Sequence, residues 1–177
     1  MCAFREDPSR IDYILNCLRI PKSRRFAVVA IRGVEKHGYV KLLERFVRSL
    51  ARDGILPIFI VMYPTQDLEL TRKVARDCGG KIAYPIGASD VVALMRRATL
   101  VCAMRYHALI FSHLAHTPFI AFGSQPKLPS FCHSHHGRYC LELEMKNRGR
   151  VGGNFLWEKV SPQAPLKEPK NGGTHQG

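Results

Sequence analysis

No stretch of the chain approaches the roughly 18 to 20 consecutive apolar residues of a membrane-spanning helix. The opening Met-Cys-Ala-Phe-Arg-Glu-Asp also lacks the apolar centre of a secretion signal. Both absences predict a cytoplasmic protein, in the cytosol or at the inner face of the membrane. The six cysteines, Cys2, Cys17, Cys78, Cys102, Cys132 and Cys140, include no Cys-x-x-Cys pair and are scattered through helix- and strand-like segments. They read as reduced thiols. Acidic residues are scarce, 14 Asp and Glu against 27 Lys and Arg, for a net charge of +13. That balance favours anionic partners of any kind, from nucleic acid and acidic lipid to phosphorylated metabolites. No segment alternates Tyr or Phe with Lys or Arg, so base-stacking platforms are missing and no specific nucleic-acid partner is expected.

What is present is core material. At 177 residues and 46% hydrophobic, the chain is within the range of a single domain and can bury a sizeable interior. Short apolar runs at 26–31, 55–62, 81–84, 99–102 and 118–122 read as strands buried on both faces. Helical patterns lie between them. Val40, Leu43, Phe46, Val47 and Leu50 repeat at three and four with Gly54 as a stop, 67–78 follows with Thr65 as cap, and Ser89-Asp90 opens a further helix. The alternation predicts a doubly wound α/β fold with a mainly parallel sheet of about five strands. Residues 1–145 form this Rossmann-like domain. Residues 146–177, with six Gly, three Pro and six Lys or Arg, read as a flexible basic tail with an anchor at Phe155-Leu-Trp157.

The most informative segment is Cys102-Ala-Met-Arg-Tyr-His-Ala-Leu-Ile-Phe111, in which Arg105 and His107 open an amphipathic helix directly after a buried strand. In a parallel sheet that junction faces the crevice where ligands bind, and the helix N-terminus adds free N–H groups and partial positive charge. An arginine there offers a fork of donors to phosphate or carboxylate, and a histidine is a side chain suited to trading a proton.

Met-Arg-x-His-Ala-Leu-Ile-Phe, followed by a small-residue helix, a Pro-led strand and the pair Pro126-Lys127, resembles the C-terminal half of the polysaccharide pyruvyl transferases. Ile31-Arg32 after the first strand, Tyr63-Pro64 with Gln66-Asp67-Leu-Glu-Leu after the second, and the Ser-Asp-led helix agree in order. The resemblance covers about residues 26 to 135. It implies the C-terminal Rossmann-like domain of a GT-B-like fold, like that of two-domain glycosyltransferases. It further implies transfer of the enolpyruvyl carbons of phosphoenolpyruvate to hydroxyls of a cell-surface polysaccharide or its lipid- or nucleotide-linked precursor, forming a pyruvate ketal. By the same resemblance His107 is the catalytic histidine, and Arg32, Arg105 and Lys127 bind substrate. The scheme requires neither metal nor cofactor, phosphoenolpyruvate being the donor. The cleft's other wall is expected from an N-terminal domain or a partner subunit.

Two positions depart from the family pattern. Ala103 stands where Gly usually precedes Met-Arg, so a turn of positive φ would be strained there. Ser124-Gln125 replaces the usual Tyr-Asp or Tyr-Asn before Pro-Lys. Six of the eight histidines lie between 107 and 136, but Cys132-His-Ser-His-His136 with Cys140 lacks the full spacing of a zinc site and reads as an exposed polar loop. Besides pyruvyl transfer, two other classes fit the residues: the donor-binding half of a nucleotide-sugar glycosyltransferase, and a non-enzymatic polyanion binder.

Overall fold

The computed structural model describes residues 8–139; the expected tail at 146–177 with its Phe155–Trp157 anchor lies outside them, as do Cys2 and Cys140. Six strands form one sheet: β1 (Phe26–Ala30), β2 (Leu56–Ile60), β3 (Lys81–Ala83), β4 (Leu100–Ala103), β5 (Phe119–Ala121) and β6 (Arg138–Tyr139). All pairs are parallel and the order is β3-β2-β1-β4-β5-β6. The first five are the strands the apolar runs predict, and every residue of β1 and β4 is buried. The sixth is a two-residue edge strand, too short to carry a hydrophobic pattern.

Helices α1 (Pro8–Cys17), α2 (His37–Arg52), α3 (Pro64–Asp77), α4 (Ala88–Arg97), α5 (Tyr106–Leu114) and α6 (Lys127–Ser134) cover both faces. Parallel strands require crossovers, and these are right-handed almost without exception. Helices α2 and α3, which lead leftward from β1 to β3, therefore share one face, and α4, α5 and α6, which lead rightward to β6, share the other. Helix α1 packs against α4 on that second face. The chain leaves β1 and β4 in opposite directions although the two strands are neighbours, which opens a crevice at their C-terminal ends.

Local sequence explains the boundaries. Helix α2 buries Val40, Leu43, Phe46, Val47 and Leu50 and ends before Gly54 at φ 78, while Gly79 at φ 66 follows α3. Helix α3 starts at Pro64 with Tyr63 as N-cap, three residues before the expected start at 67, because proline with its fixed φ suits the first helical turn. Helix α1, for which the strand-led reading has no place, is held by Ile11 and Leu15, both buried one turn apart. Residues 127–134 are the helix α6 rather than the exposed polar loop expected around Cys132–His136. Leu128 and Cys132 point into the core on one face, and the histidines occupy the others. His135 stacks on Phe131 at 4.1 Å and its Nδ1 bonds the Phe131 carbonyl at 3.0 Å. Among the described residues, no group of three or more His, Cys, Asp or Glu is arranged to hold a metal ion.

The core is continuous from α1 through the sheet to α2. Leu94 of α4 is fully buried, whereas Leu114 at the end of α5 is 45% exposed. The same truncation should therefore have unequal cost: Leu94→Ala is expected to lower the unfolding free energy in urea by about 2–5 kcal/mol, through lost burial and a residual cavity. Leu114→Ala should cost about 1 kcal/mol or less. Equal losses would contradict this placement of α4.

Candidate functional site

The loops after β1, β2, β4 and β5 meet above the β1/β4 crevice, and two covered carboxylates tie them together. Asp67, in the first turn of α3, is fully buried. It accepts hydrogen bonds from the Gly33 N–H at 3.0 Å, the Tyr63 N–H at 3.1 Å and Arg105 Nε at 3.0 Å, and from Arg105 Nη2 on its other oxygen. Arg105 Nη2 also donates to Gln66 Oε1 at 2.9 Å, and the guanidinium lies 4.7 Å from the centre of the Tyr63 ring. One aspartate thus fixes the loop after β1, the loop after β2 and the arginine after β4. Gly33 is required at this junction, because a Cβ there would come within 1.7 Å of the Gln66 carbonyl oxygen.

Glu35 makes the second tie. Its side chain has no exposed surface and accepts from Ser124 Oγ at 2.7 Å, the Ser124 N–H at 3.2 Å and the Lys36 N–H at 3.0 Å, with Arg32 Nη1 at 3.4 Å. Burial pushes its carboxyl upward, but the Ser124 hydroxyl, the two backbone donors and Arg32 outweigh it and hold the group below its usual value. The Ser124-Gln125 departure is thereby explained in part: Ser124 anchors Glu35, and Gln125 Nε2 donates to the Met104 carbonyl at 3.2 Å. The departure at Ala103 brings no strain. That residue is in β4, in register with Ala30 and Ala121, and is not among the positive-φ positions.

The four residues singled out from sequence all stand at this edge, in different states. Arg105 is the N-cap of α5, and its side chain is only 12% exposed; Nε and Nη2 are engaged by Asp67 and Gln66, which leaves Nη1 for a ligand. His107 is exposed in the first turn of α5. Arg32 is 27% exposed beside Glu35. Lys127 opens α6 and is exposed, its Nζ 5.9 Å from the Tyr106 ring centre. Asp67 ties Arg105 to the loop that carries Arg32 through the Gly33 N–H, while the Arg32 side chain itself turns to Glu35 and Lys127 is associated with Tyr106. Lys127 also lines a groove of about 380 Å³ with Tyr106, Ser130 and His135. A larger cavity, about 770 Å³ between α1 and the end of β3, contains none of the four.

Sequence reasoning does not select Asp67 or Glu35. An acid in the first turn of a helix looks like a complement to the helix dipole, and only the proline that starts α3 early puts Asp67 beside the crevice. Glu35 lies in the loop after β1, preceded by four loop residues, with no periodicity to mark it as buried.

The lowered Glu35 value has a consequence for stability. Its contribution is fully present above the unfolded value near 4.5 and is lost as pH falls through the lower folded value. Urea unfolding of wild type and Glu35→Gln should therefore show a stability difference that is constant above about pH 5 and shrinks at more acid pH. A difference that grew on acidification would have the wrong sign.

Among solved structures, the fold is similar to a glycosyl transferase family 9 protein from Veillonella parvula, at TM-score 0.63 and 13% identity over 86% of this chain and 50% of that one. It is also similar to E. coli ADP-heptose LPS heptosyltransferase II, at TM-score 0.58 and 12% identity over 76% of this chain and 44% of that one. At such identity the likeness shows the fold alone, a GT-B-like Rossmann domain, and the chain spans about half the length of either structure. No curated protein matches the sequence. The family model for polysaccharide pyruvyl transferase matches residues 5–126, which include α1 to α5, the Asp67–Arg105 pair and Arg32, Arg105 and His107; the chain belongs to the polysaccharide pyruvyl transferase family.

Proposed function

We propose that this chain carries the donor-binding wall of a pyruvyl transferase that moves the enolpyruvyl carbons of phosphoenolpyruvate onto a saccharide hydroxyl. The observation that supports this most directly is the junction Met104-Arg105-Tyr106-His107, where a fixed guanidinium, a helix N-terminus and an exposed imidazole occur within one turn at the β1/β4 crevice. Phosphoenolpyruvate carries a phosphate and a carboxylate, so at least two cationic contacts are needed. Arg105 Nη1, the unbonded N–H groups at the start of α5, Arg32 and Lys127 are the groups available for them.

In the reaction, C3 of phosphoenolpyruvate takes a proton and becomes a methyl group, while a sugar hydroxyl adds to C2 and loses its proton. The C2–O bond to phosphate then breaks, and a second hydroxyl of the sugar closes the ketal at C2 with loss of its own proton. Inorganic phosphate leaves with the electron pair of the broken bond. His107 is assigned the proton transfer to C3, its exposed imidazole standing within one turn of Arg105 at the start of α5. Arg105 is held in place by Asp67, so its charge is oriented before the donor arrives and does not reorganise as the leaving phosphate develops charge. The acceptor wall is assigned to a second Rossmann-like domain or a partner chain, because a cationic centre at C2 needs a cleft closed to water.

Two measurements test this reading. In a thermal-shift competition, phosphoenolpyruvate is expected to raise the melting temperature, whereas UDP-sugars and single-stranded DNA should not; stabilisation by a UDP-sugar alone would replace pyruvyl transfer with glycosyl transfer. Arg32→Ala should weaken phosphoenolpyruvate about 10- to 100-fold, the worth of one charge-assisted hydrogen bond. In an enzyme with both walls, His107→Ala should lower kcat by about 10² to 10⁴ and His107→Gln should retain donor binding, while residues 1–177 alone turn over weakly. Normal kcat in His107→Ala would remove the proton donor from the scheme.

A further inference from the structure

The positive charge left over from the crest, the C-terminal edge of the sheet where the loops after β1, β2, β4 and β5 meet, is unevenly distributed. From residue 41 to the end of α2, every exposed position is cationic: Lys41, Arg45, Arg48 and Arg52. Their spacing of four, three and four places them in one stripe along the solvent side, about 16 Å long at 1.5 Å per residue. Like charges at this spacing disfavour the helix that carries them, so the stripe is not explained by the stability of α2. Helix α3 continues it with Arg72, Lys73 and Arg76, all exposed. None of these seven side chains is ion-paired with a described carboxylate. The acids on the outer sides of the two helices are only Glu44, Glu69 and Asp77.

The shape of this surface selects its partner. Helices α2 and α3 run side by side on one face of the sheet, and Cys78 at the C-cap of α3 reaches the Glu44 carbonyl of α2 at 3.9 Å. Neither helix projects as a major-groove reader would. Among the described residues the large exposed hydrophobic ones are Tyr13, Val34, Tyr63, Tyr84 and Leu114; none lies within α2 or α3, Tyr63 standing at the N-cap of α3 at the crevice end. The face therefore offers bases no aromatic surface and a lipid interior no apolar wedge. An array of exposed cations with no ion pair to a described carboxylate and no apolar anchor fits an extended anionic surface bound by charge alone.

We propose that the α2–α3 face docks the protein on a bilayer leaflet rich in anionic lipid. Both helices start at the crest and run away from it, so docking on their outer face leaves the Asp67–Arg105 edge opening alongside the membrane. This inference stands on the charge pattern alone and does not depend on the donor being phosphoenolpyruvate.

Co-sedimentation of the 177-residue chain with vesicles provides the test. Binding is expected to phosphatidylcholine vesicles containing about one-third phosphatidylglycerol at low salt, not to pure phosphatidylcholine, and should be lost at about 0.5 M salt. Since the segment beyond 145 has six further Lys and Arg, location is read from paired variants of equal charge change. Arg45→Glu/Lys73→Glu should weaken binding about tenfold or more, and Arg97→Glu/Arg138→Glu, exposed positions off this face, less than about threefold. The neutral pair Arg45→Gln/Lys73→Gln repeats the test without new acids, and an unchanged urea-unfolding midpoint in each variant reports an intact fold. Equal weakening by the two charge-reversed variants, undiminished binding by Arg45→Glu/Lys73→Glu, no binding by wild type, or tighter binding to duplex DNA at matched phosphate concentration would each overturn the proposal.

Discussion

The arrangement of the crest depends on one ion pair, Asp67 with Arg105. A carboxylate with no exposed surface is costly to remove from water, and Coulomb attraction offsets that cost only when geometry is good and the remaining lone pairs are used. Asp67 meets both conditions: two backbone N–H groups from different loops and two guanidinium nitrogens converge on its two oxygens. Because each donor comes from a segment leaving a different strand, the pair does more than hold a side chain. It sets the relative position of the β1, β2 and β4 loops, and it requires Gly33, since any Cβ would separate the β1 loop from α3.

Glu35 extends the same logic to the β5 loop through Ser124, so the four loops are joined by two acids. This changes the electrostatics expected of an anion-binding edge. Part of the arginine charge at the crest is balanced inside the protein by Asp67 and Glu35, and what remains for a ligand is directional: one guanidinium nitrogen, the first N–H groups of α5, and the less constrained Arg32 and Lys127. On the proposed function, a site built this way favours a ligand with fixed geometry over a loose polyanion, because only an oxygen placed on those donors gains the full interaction.

How much of this was legible in sequence follows from where each signal comes from. Strands β1 to β5 could be read because parallel strands covered on both faces are continuous apolar runs, whereas β6 has two residues and no run. The Arg105 and His107 pair could be read because a strand-to-helix junction is a local pattern. Asp67 and Glu35 could not, because their role exists only across loops separated by 34 to 89 residues, and nothing local marks an acid as buried. The same limit applies to Arg105: sequence shows a free fork, and the fold engages two of its three nitrogens. In α6, polar residues at 133–136 conceal a helix whose inward face is only Leu128 and Cys132.

Net charge shows the limit most plainly. A value of +13 admits every anionic partner, since it says nothing about where the charges lie. The fold separates cations that act inside the protein, such as Arg105 on Asp67, from cations exposed along α2 and α3. The two groups answer to different physics. Charges of the first kind are shielded from salt by burial and give specificity through hydrogen-bond direction, while those of the second act over a Debye length of about 8 Å and lose their effect as salt rises. Helices α2 and α3 join the two regimes, since Asp67 anchors the first turn of α3 at the crest and the exposed cations begin at Arg72, little more than a turn further on.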